Sequence, residues 1–370
     1  MIKLFVCGDF RAKDSSKVNV TPQLRALISG ADYAICNFEA PVESNGKPIK
    51  KSGPLLYQDA NSPKALKDLG FNVFLLANNH IMDYGKAGCE ATIESFKNAI
   101  TVGAGDAHEA YLMKILEKDG MKIGLLAFVQ HEFGVVETPS DSQLYGAAWI
   151  NTPSISDIIR VGKTQVDYLL VFPHAGVEHT DAPLPEWRRL YKKLIDWGAD
   201  AVISSHPHCP QGWEKYNNKT IYYSLGNFYF DEIEGGNLWY RSIGIEIEID
   251  TEMILTPHLI CFQSDGCIMI DNRDDSVVHI KYINQLLNEE NKYKIYIDTI
   301  CKKHYQNYKY GILRGVCGFT WHIKLYYALR LFTLMILGNK DEMYLLNSYQ
   351  NESHRWLIER SLNLNNYNNE

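Results

Sequence analysis

The chain has 370 residues, of which 46% are hydrophobic and 22% charged, the balance of a globular protein rather than a disordered or fibrous one. Its 37 basic and 44 acidic side chains give a formal net charge of −7, which disfavours proteins that bind nucleic acid by neutralising phosphates. Eight cysteines without a C-x-x-C pair lie mostly in apolar runs and do not indicate a disulfide framework.

No targeting or membrane-spanning segment is predicted. The first apolar run, residues 1–7, is too short for a signal peptide, and no stretch of about 18 uncharged apolar residues follows it. Residues 319–337 come nearest, but His322, Lys324 and Arg330 interrupt them. We expect this segment to pack on the sheet domain, with attachment to a membrane surface as the alternative. The expectation is a cytoplasmic protein, with peripheral membrane association left open.

Apolar runs alternate with helical patterns over the first 230 residues. The predicted strands are 3–7, 33–37, 73–77, 122–129, 168–172, 201–204 and 220–224. Several are continuously apolar, which is typical of strands covered on both faces. The predicted helices are 21–29, 64–69, 86–99 and 185–197. Strands that alternate with helices predict a layered α/β fold.

The pattern changes after residue 240. Residues 243–250 alternate apolar and acidic side chains, which predicts a half-solvated antiparallel strand. Residues 255–263 and 267–270 are its expected neighbours, joined by a hairpin turn at 264–266. From about residue 276 the patterns are helical. We therefore predict one domain over 1–275 and a helical C-terminal region over 276–370.

Metal-type side chains follow five of the predicted strands. They are Asp9, then Asn37 and Glu39, then Asn78, Asn79, His80 and Asp83, then His174, and last His206 and His208. Ligands of open α/β sheets bind outside the carboxyl ends of the strands, so these groups are expected to face one crevice.

Each of these residues alone has a structural explanation. Asp9 after Gly8 suits a turn, Asn78 and Asn79 suit a loop, and His174 suits a buried, hydrogen-bonded histidine. In extended backbone, however, His206 and His208 would share one face. Chance alone would have to place metal-type residues after all five strands. Their joint occurrence therefore favours metal binding.

Imidazole and carboxylate donors suit Zn, Mn or Fe. Six ligands are available for one or two divalent ions with a bridging carboxylate, namely Asp9, Glu39, Asn79, His174, His206 and His208. Two divalent ions and two carboxylates leave an excess of positive charge, which favours an anionic substrate. Phosphoester hydrolysis fits these electrostatics.

The motifs resemble those of the bacterial capsule-synthesis CapA family (the poly-γ-glutamate capsule proteins), a branch of the calcineurin-like metallophosphoesterase superfamily. The matching stretches are Gly-Asp at 8–9, Asn-Phe-Glu-Ala-Pro at 37–41, Ala-Asn-Asn-His at 77–80, Pro-His-Ala-Gly at 173–176, Ser-His-Pro-His at 205–208 and Tyr-Ser-Leu-Gly-Asn-Phe at 223–228. They cover about residues 1–230 in the order of the family. The resemblance implies a four-layer α/β sandwich with a dinuclear-type centre at the strand ends.

The resemblance also implies roles for individual residues. The implied ligands are Asp9 and His208 for one metal, Asn79, His174 and His206 for the other, and Glu39 between both. His80 would protonate the leaving group, and Asp83 would either orient His80 or cap the helix beginning near Gly85. Substrate contacts are predicted for Asn37, Asn78, Glu178 and Asn227, with a role behind the ligands as the alternative for Asn227. His131 and Glu132 follow another strand and are placed at the rim.

Two positions depart from the pattern. Classical phosphoesterases have Asp-x-His in the first motif, where this chain has Asp9-Phe10-Arg11. A guanidinium cannot ligate a metal, which leaves the first site one ligand short. Ala175 stands where the family usually has Trp, which widens the expected pocket.

Three functions follow from these expectations. The first is a metal-dependent hydrolase that acts on an anionic small molecule or polymer in capsule or surface-polysaccharide biosynthesis. The second is a non-catalytic, metal-containing binding or assembly protein with capsule-biosynthesis partners. The third is a γ-glutamyl amide hydrolase or transferase. The missing histidine of the first motif favours the second function somewhat.

Overall fold

A computed structural model gives the architecture, and it describes residues 1–141, 144–231, 236–317 and 340–367. The larger sheet has nine strands in the order β2-β18-β17-β16-β1-β3-β4-β5, and β15 also pairs with β1. Its strands are β1 (Ile2–Arg11), β2 (Asn19–Val20), β3 (Tyr33–Phe38), β4 (Val73–Leu75), β5 (Ile100–Val102), β15 (Asn227–Phe230), β16 (Arg241–Ile249), β17 (Met253–Phe262) and β18 (Cys267–Ile270).

A second sheet of six strands lies in the order β13-β14-β12-β11-β8-β7. It consists of β7 (Lys114–Lys118), β8 (Met121–Val129), β11 (Tyr168–His174), β12 (Ala201–Ile203), β13 (Trp213–Tyr216) and β14 (Lys219–Tyr222). The strands β6 (Ala104–Asp106), β9 (Val135–Val136) and β10 (Tyr145–Ala148) form a small third sheet. In both large sheets the central strands that lead to the candidate site are parallel, so their carboxyl ends lie on the same side.

Helices cover the outer faces of the two large sheets. They are α1 (Pro22–Ser29), α2 (Ser62–Leu69), α3 (Gly85–Ser95), α4 (Ala107–Ala110), α5 (Ile155–Lys163), α6 (Pro185–Trp197), α7 (Asp274–Leu287), α8 (Glu290–Cys317), α9 (Lys340–Gln350) and α10 (Glu352–Tyr367). A short 3-10 helix spans Ser15–Lys17. The α1 and α6 helices begin with a proline in the first turn, where its missing N–H costs no hydrogen bond.

Three apolar clusters show that the layers form a helix–sheet–sheet–helix sandwich. Alternate side chains of β1 serve two of them: Leu4 and Val6 join the core between the sheets, while Phe5 and Cys7 face α1 to α3. The third cluster packs α5 to α8 and α10 on the outer face of the second sheet. The predicted four-layer α/β sandwich is thereby confirmed.

The predicted antiparallel strand is confirmed as well. β16 pairs antiparallel with β1 and β17, its isoleucines are buried, and Glu246 and Glu248 are partly exposed. The α3 helix ends at Ser95 rather than at residue 99, because the chain turns there into β5, a strand too short to give an apolar pattern.

The helices after residue 275 are also present. α7 and α8 contribute Ile283 and Ile297 to the core on the second sheet. The division into 1–275 and 276–370 remains a prediction, and the segment 319–337 lies outside the described residues. Among the helices in the described ranges, none is long and apolar enough to cross a membrane.

The core between the sheets is expected to carry much of the stability. Ile247 is fully buried there, so Ile247→Ala is predicted to lower the free energy of unfolding by about 2–5 kcal/mol, because it removes apolar contacts and leaves a cavity. Ile254, on the neighbouring strand, is 56% exposed, and Ile254→Ala is the matched control. Urea unfolding measures both, and equal losses would contradict the assignment of this core.

Candidate metal centre

Asp9 is placed by an irregularity in β1. The register between β1 and β3 shifts between Cys7 and Asp9, which turns the Asp9 side chain toward the end of the sheet. A Cβ atom at Gly8 would lie 1.9 Å from the carbonyl oxygen of Gly226, so only glycine allows β15 to approach here. The Asp9 N–H then donates to that same carbonyl at 3.0 Å.

The Asp9 carboxylate is fully buried and receives two hydrogen bonds. Asn37 Nδ2 donates to Oδ1 at 2.7 Å, and the His206 N–H donates to Oδ2 at 3.2 Å. His174 Nδ1 and His208 Nδ1 lie 3.7 Å and 3.6 Å from its oxygens. Burial raises the pKa of Asp9 to about 7, because the loss of hydration outweighs the hydrogen bonds that stabilise the charged form.

The Glu39 carboxylate differs from that of Asp9 in its hydrogen bonding. It is fully buried, and among the described residues neither of its carboxylate oxygens has a hydrogen-bond partner. His174 Nε2 and His208 Nε2 lie 3.8 Å and 3.7 Å from Oε1. Burial, with the nearby charge of Asp9, raises the pKa of Glu39 well above its usual range. A cation between these groups would satisfy both oxygens, since unpartnered buried carboxylates are strongly disfavoured.

The neighbouring rings complete a set of donors. His174 Nε2 lies 3.1 Å from Asn79 Oδ1 and 3.2 Å from His206 Nδ1. Burial holds the pKa of His174 and of His206 well below the usual histidine value, so both rings are neutral, the form that ligates metals. Asp9, Glu39 and His174 each offer one ligand atom within 4.8 Å of the others.

The predicted convergence of six side chains is therefore present, and the residues fit a divalent ion. Nitrogen and oxygen donors of this kind suit Zn, Mn or Fe. Assignment of each side chain as a ligand remains a prediction.

The backbone conformation that brings His206 and His208 together differs from the prediction. Extended backbone was expected, but both residues have positive φ angles, 103° and 58°. Their ring centroids are nevertheless 6.1 Å apart. Non-glycine residues in such conformations cost about 1–3 kcal/mol and persist where the surrounding structure enforces them, often at functional sites.

The orientation of the His206 ring is fixed by a contact with Gln130. The Gln130 Oε1 accepts from the Gly176 N–H at 3.0 Å, which directs its amide nitrogen to His206 Nε2 at 2.9 Å. In that arrangement Nε2 accepts and the neutral ring carries its proton on Nδ1, facing His174. Binding of a metal ion to Nδ1 would require the other tautomer, with the proton on Nε2. The predicted role of His206 as a ligand therefore depends on its contact with Gln130.

His80 lies beside the cluster in a triad with Asp83 and Lys51. His80 Nδ1 is 2.6 Å from Asp83 Oδ2, while Lys51 Nζ donates to Asp83 Oδ1. The Leu56 N–H donates to Asp83 Oδ2 at 2.7 Å, and no Asp83 side-chain bond caps α3. Of the two predicted roles for Asp83, the structure therefore shows the orientation of His80. Burial lowers the pKa of His80, and Lys51 adds to this effect.

The cavity beside the cluster has a volume of about 390 Å³. It is lined by Lys51, Ser52, Gly53, Pro54, Leu56, Asn79, His80, Glu132, Glu178, His179, His208, Phe230, Trp239, Tyr344, Asn347 and His354. Glu178 is the predicted substrate contact that reaches this cavity.

The other three predicted substrate contacts lie behind the described cavity lining, and their contact with a substrate remains a prediction. Asn37 donates to Asp9, and Asn78 donates to the Phe38 carbonyl oxygen at 2.9 Å. Asn227 Oδ1 lies 2.9 Å from His208 Nδ1. None of the three lines the cavity in the described part of the chain. They support the site from behind, the alternative already open for Asn227.

The contacts of Arg11 do not suit a metal ligand. Its guanidinium is buried, pairs with Asp231 at 2.9 Å, and donates to the Tyr57 carbonyl oxygen at 3.1 Å. The structure therefore agrees with the sequence in that Arg11 does not replace the histidine of the first motif as a metal ligand.

Sequence reasoning missed Lys51, Gln130 and the residues of α9 and α10. Lys51 lies in a stretch without a strand or helix pattern. Gln130 follows β8 directly, next to the predicted rim residue Glu132, so its position at a strand end was the available signal.

The layers and the buried donor cluster define a two-sheet α/β protein with a candidate metal centre at the strand ends. The family described as "Bacterial capsule synthesis protein PGA_cap" matches residues 3–232, and the chain belongs to this family. The predicted family is thereby confirmed.

Two curated relatives are similar over the same region. "Capsule biosynthesis protein CapA" of Bacillus anthracis is 33% identical over 224 residues, which cover 58% of this chain and 53% of that protein. "PGA biosynthesis protein CapA" of Bacillus subtilis (strain 168) is 34% identical over 238 residues, 60% of this chain and 58% of that protein. The chain thus spans little more than half the length of these relatives.

Solved structures show weaker similarity. A putative 5'-nucleotidase from Staphylococcus aureus has a TM-score of 0.43 and 15% identity, over 76% of this chain and 58% of that chain. The calcineurin-like phosphoesterase YfkN from Bacillus subtilis has a TM-score of 0.38 and 14% identity, over 80% of this chain and 98% of that chain. Because these similarities are low, the fold is assigned from the arrangement of sheets and helices in this chain itself.

The unpartnered carboxylate of Glu39 generates a two-part prediction. In Glu39→Gln, Mn²⁺ or Zn²⁺ should no longer stabilise the protein, whereas for the wild type at 100 times the dissociation constant it should add about 2.7 kcal/mol. The metal-free variant should be at least as stable as the metal-free wild type, because it removes a buried carboxyl group whose ionisation is disfavoured by burial and by the nearby Asp9. Thermal unfolding with and without metal measures both.

Glu43→Gln provides the matched control, since Glu43 is an exposed carboxylate four residues along the chain. It should behave as the wild type does. Equal metal stabilisation in Glu39→Gln and the wild type would contradict the placement of the ion beside Glu39.

Proposed function

We propose that the protein is a metal-dependent hydrolase that cleaves an anionic ester during the production of a capsule or another surface polymer. The observation that carries the proposal is the buried Glu39 carboxylate, unpartnered and surrounded by neutral rings, beside a cavity lined by His80. A buried negative cluster next to an open cavity suits a catalytic ion better than a structural one, because structural sites are closed.

The charge of the loaded site depends on the number of ions, and two ions favour an anionic substrate, with Lys51 of the cavity adding to this attraction and Glu132 and Glu178 opposing it. Asp9 and Glu39 contribute two negative charges, and the neutral imidazoles contribute none. With one divalent ion the cluster is neutral, and with two it keeps a net positive charge. A divalent ion in such a site lowers the pKa of a bound water and stabilises the charge that develops on an ester oxygen.

His80 is placed to exchange a proton with the substrate. Its Nδ1 is engaged by Asp83, which leaves Nε2 as the nitrogen available to the cavity. Asp83 fixes the ring and is itself held by Lys51 and the Leu56 N–H. A histidine fixed in this way can transfer a proton at Nε2 without reorienting.

Glu178 is the remaining candidate for direct substrate contact, because it lines the same cavity. As a carboxylate it would meet a hydroxyl, amide or ammonium group rather than the anionic part of the substrate. The names of the relatives, which refer to capsule and PGA biosynthesis, support a polymer precursor or polymer as the substrate and capsule-biosynthesis proteins as partners.

A second candidate function is metal-dependent binding without turnover in the assembly of such a polymer. It is favoured by Arg11, whose guanidinium pairs with Asp231 and supplies no ligand. A relative from Mycobacterium tuberculosis (strain CDC 1551 / Oshkosh), 27% identical over 229 residues, 58% of this chain and 60% of that protein, is named a probable polyglutamine synthesis accessory protein. Cleavage or transfer of a γ-glutamyl amide at the same centre is the third.

His80→Asn tests the proposal. We expect kcat for a generic phosphoester to fall by roughly 10²–10⁴, the usual contribution of a proton-transferring side chain, while bound metal stays constant. His108→Asn is the matched control, because His108 is exposed on α4. Turnover and elemental analysis are measured on the same samples.

The outcome also separates the three functions. Unchanged turnover in His80→Asn would contradict its proton-transfer role. Metal without turnover of phosphoesters or γ-glutamyl peptides would support the binding protein, and cleavage of the peptides alone would support the amide hydrolase.

A further inference from the structure

The turn between α9 and α10 contacts the candidate site residue by residue. The turn 351–353 comprises Asn351 and the first two residues of α10, Glu352 and Ser353. These three bind three consecutive residues that follow β8, namely Glu132, His131 and Gln130 in that order. All three residues of the turn are buried, and they lie outside the region that the family matches, residues 3–232.

Glu352 is the anchor of this contact. Its side chain is 2% exposed, and its two carboxylate oxygens accept three hydrogen bonds. Oε2 accepts from the His131 N–H at 2.6 Å, and Oε1 accepts from Trp149 Nε1 at 2.7 Å and Asn151 Nδ2 at 3.1 Å. As the first residue of α10, it also places negative charge at the positive end of the helix.

The flanking residues reach the neighbours of the candidate ligands. Asn351 caps α10 by accepting from the His354 N–H at 3.1 Å, and its Nδ2 donates to Glu132 Oε1 at 2.8 Å. Ser353 Oγ donates to Gln130 Oε1 at 2.6 Å. Gln130 in turn contacts His206.

The same two helices line the substrate cavity. Tyr344 and Asn347 of α9 and His354 of α10 line it together with Lys51 and His80 of the N-terminal part. A segment that lines a cavity and is tied to the strand ends by a buried carboxylate cannot leave the site without losing those bonds.

We propose that the turn 351–353 is a latch that fixes α9 and α10 as the substrate-selecting wall of this site, with Tyr344 as a specificity-determining residue. The role of the wall in substrate selection rests on the proposed function, whereas the latch does not. Two independent experiments therefore test the two parts.

Hydrogen exchange tests the latch. In Glu352→Ala, the backbone amide of His131 should exchange roughly tenfold faster or more, the factor expected when a hydrogen bond to a charged acceptor is lost. Glu359→Ala is the matched control, an exposed glutamate on the same helix. Ser353→Ala, which keeps Glu352, should accelerate exchange less and covers the case in which Glu352→Ala does not fold. Equal protection of residues 130–132 in these two latch variants and the control would overturn the latch.

Kinetics test the wall. Tyr344→Ala should raise KM for a generic phosphoester several-fold with kcat and metal content unchanged, since a contact made equally before and during the reaction is removed. Tyr349→Ala on the same helix, at a side chain 74% exposed, should change neither constant. Equal KM in Tyr344→Ala and the wild type would overturn the wall.

If the metal-loaded wild type turns over no ester, the proposed hydrolase fails, and calorimetry with inorganic phosphate takes the place of KM. Weaker phosphate binding in Tyr344→Ala than in Tyr349→Ala would then support the wall. Equal binding, or no binding to the wild type, would overturn it.

Discussion

Two carboxylates are buried close together where β1 and β3 end, without an ion pair to a lysine or arginine among the described residues, and the organisation of the site follows from that constraint. Asp9 keeps two hydrogen-bond donors, but Glu39 has none among the described residues. The rings around them are neutral, since burial depresses their pKa values. A divalent cation would satisfy both carboxylates in their charged form, and the adjoining cavity would give that cation access to a substrate.

The fold around this constraint explains how it is maintained. Parallel strands of two sheets deliver their ends to one side of the sandwich, while the core between the sheets holds the strands in register. The bulge at Gly8 and the positive φ angles of His206 and His208 supply the local deviations that aim the side chains inward. Regular strands alone would not bring these groups together.

The sequence allowed the layers, most strands and the convergence of Asp9, Glu39, Asn79, His174, His206 and His208 to be predicted. The spacing of apolar residues and the position of polar residues after a strand are local features of the sequence. They are clearest where strands are buried on both faces. The backbone route of His206 was not predictable in this way, because its conformation is imposed by contacts with β1 and Gln130. The hydrogen bonds of Asn37 and Asn78 were not predictable for a related reason: position near a strand end does not say whether an amide faces the cavity or the groups behind it.

Contacts between distant parts of the chain were beyond sequence reasoning. Lys51 meets Asp83 from a stretch without a periodic pattern, and Asn351, Glu352 and Ser353 meet residues more than 200 positions earlier. Nothing in the spacing of a single sequence encodes such pairings. They bring the start of α10 into contact with residues beside the candidate metal centre.

Anomalous scattering from a crystal grown without chelator would locate a cation between Asp9, Glu39 and His174. We expect a peak within about 2.0–2.3 Å of donor atoms from these residues. A crystal with no peak at this position, even after growth with Mn²⁺ or Zn²⁺, or with the peak elsewhere, would contradict this expectation.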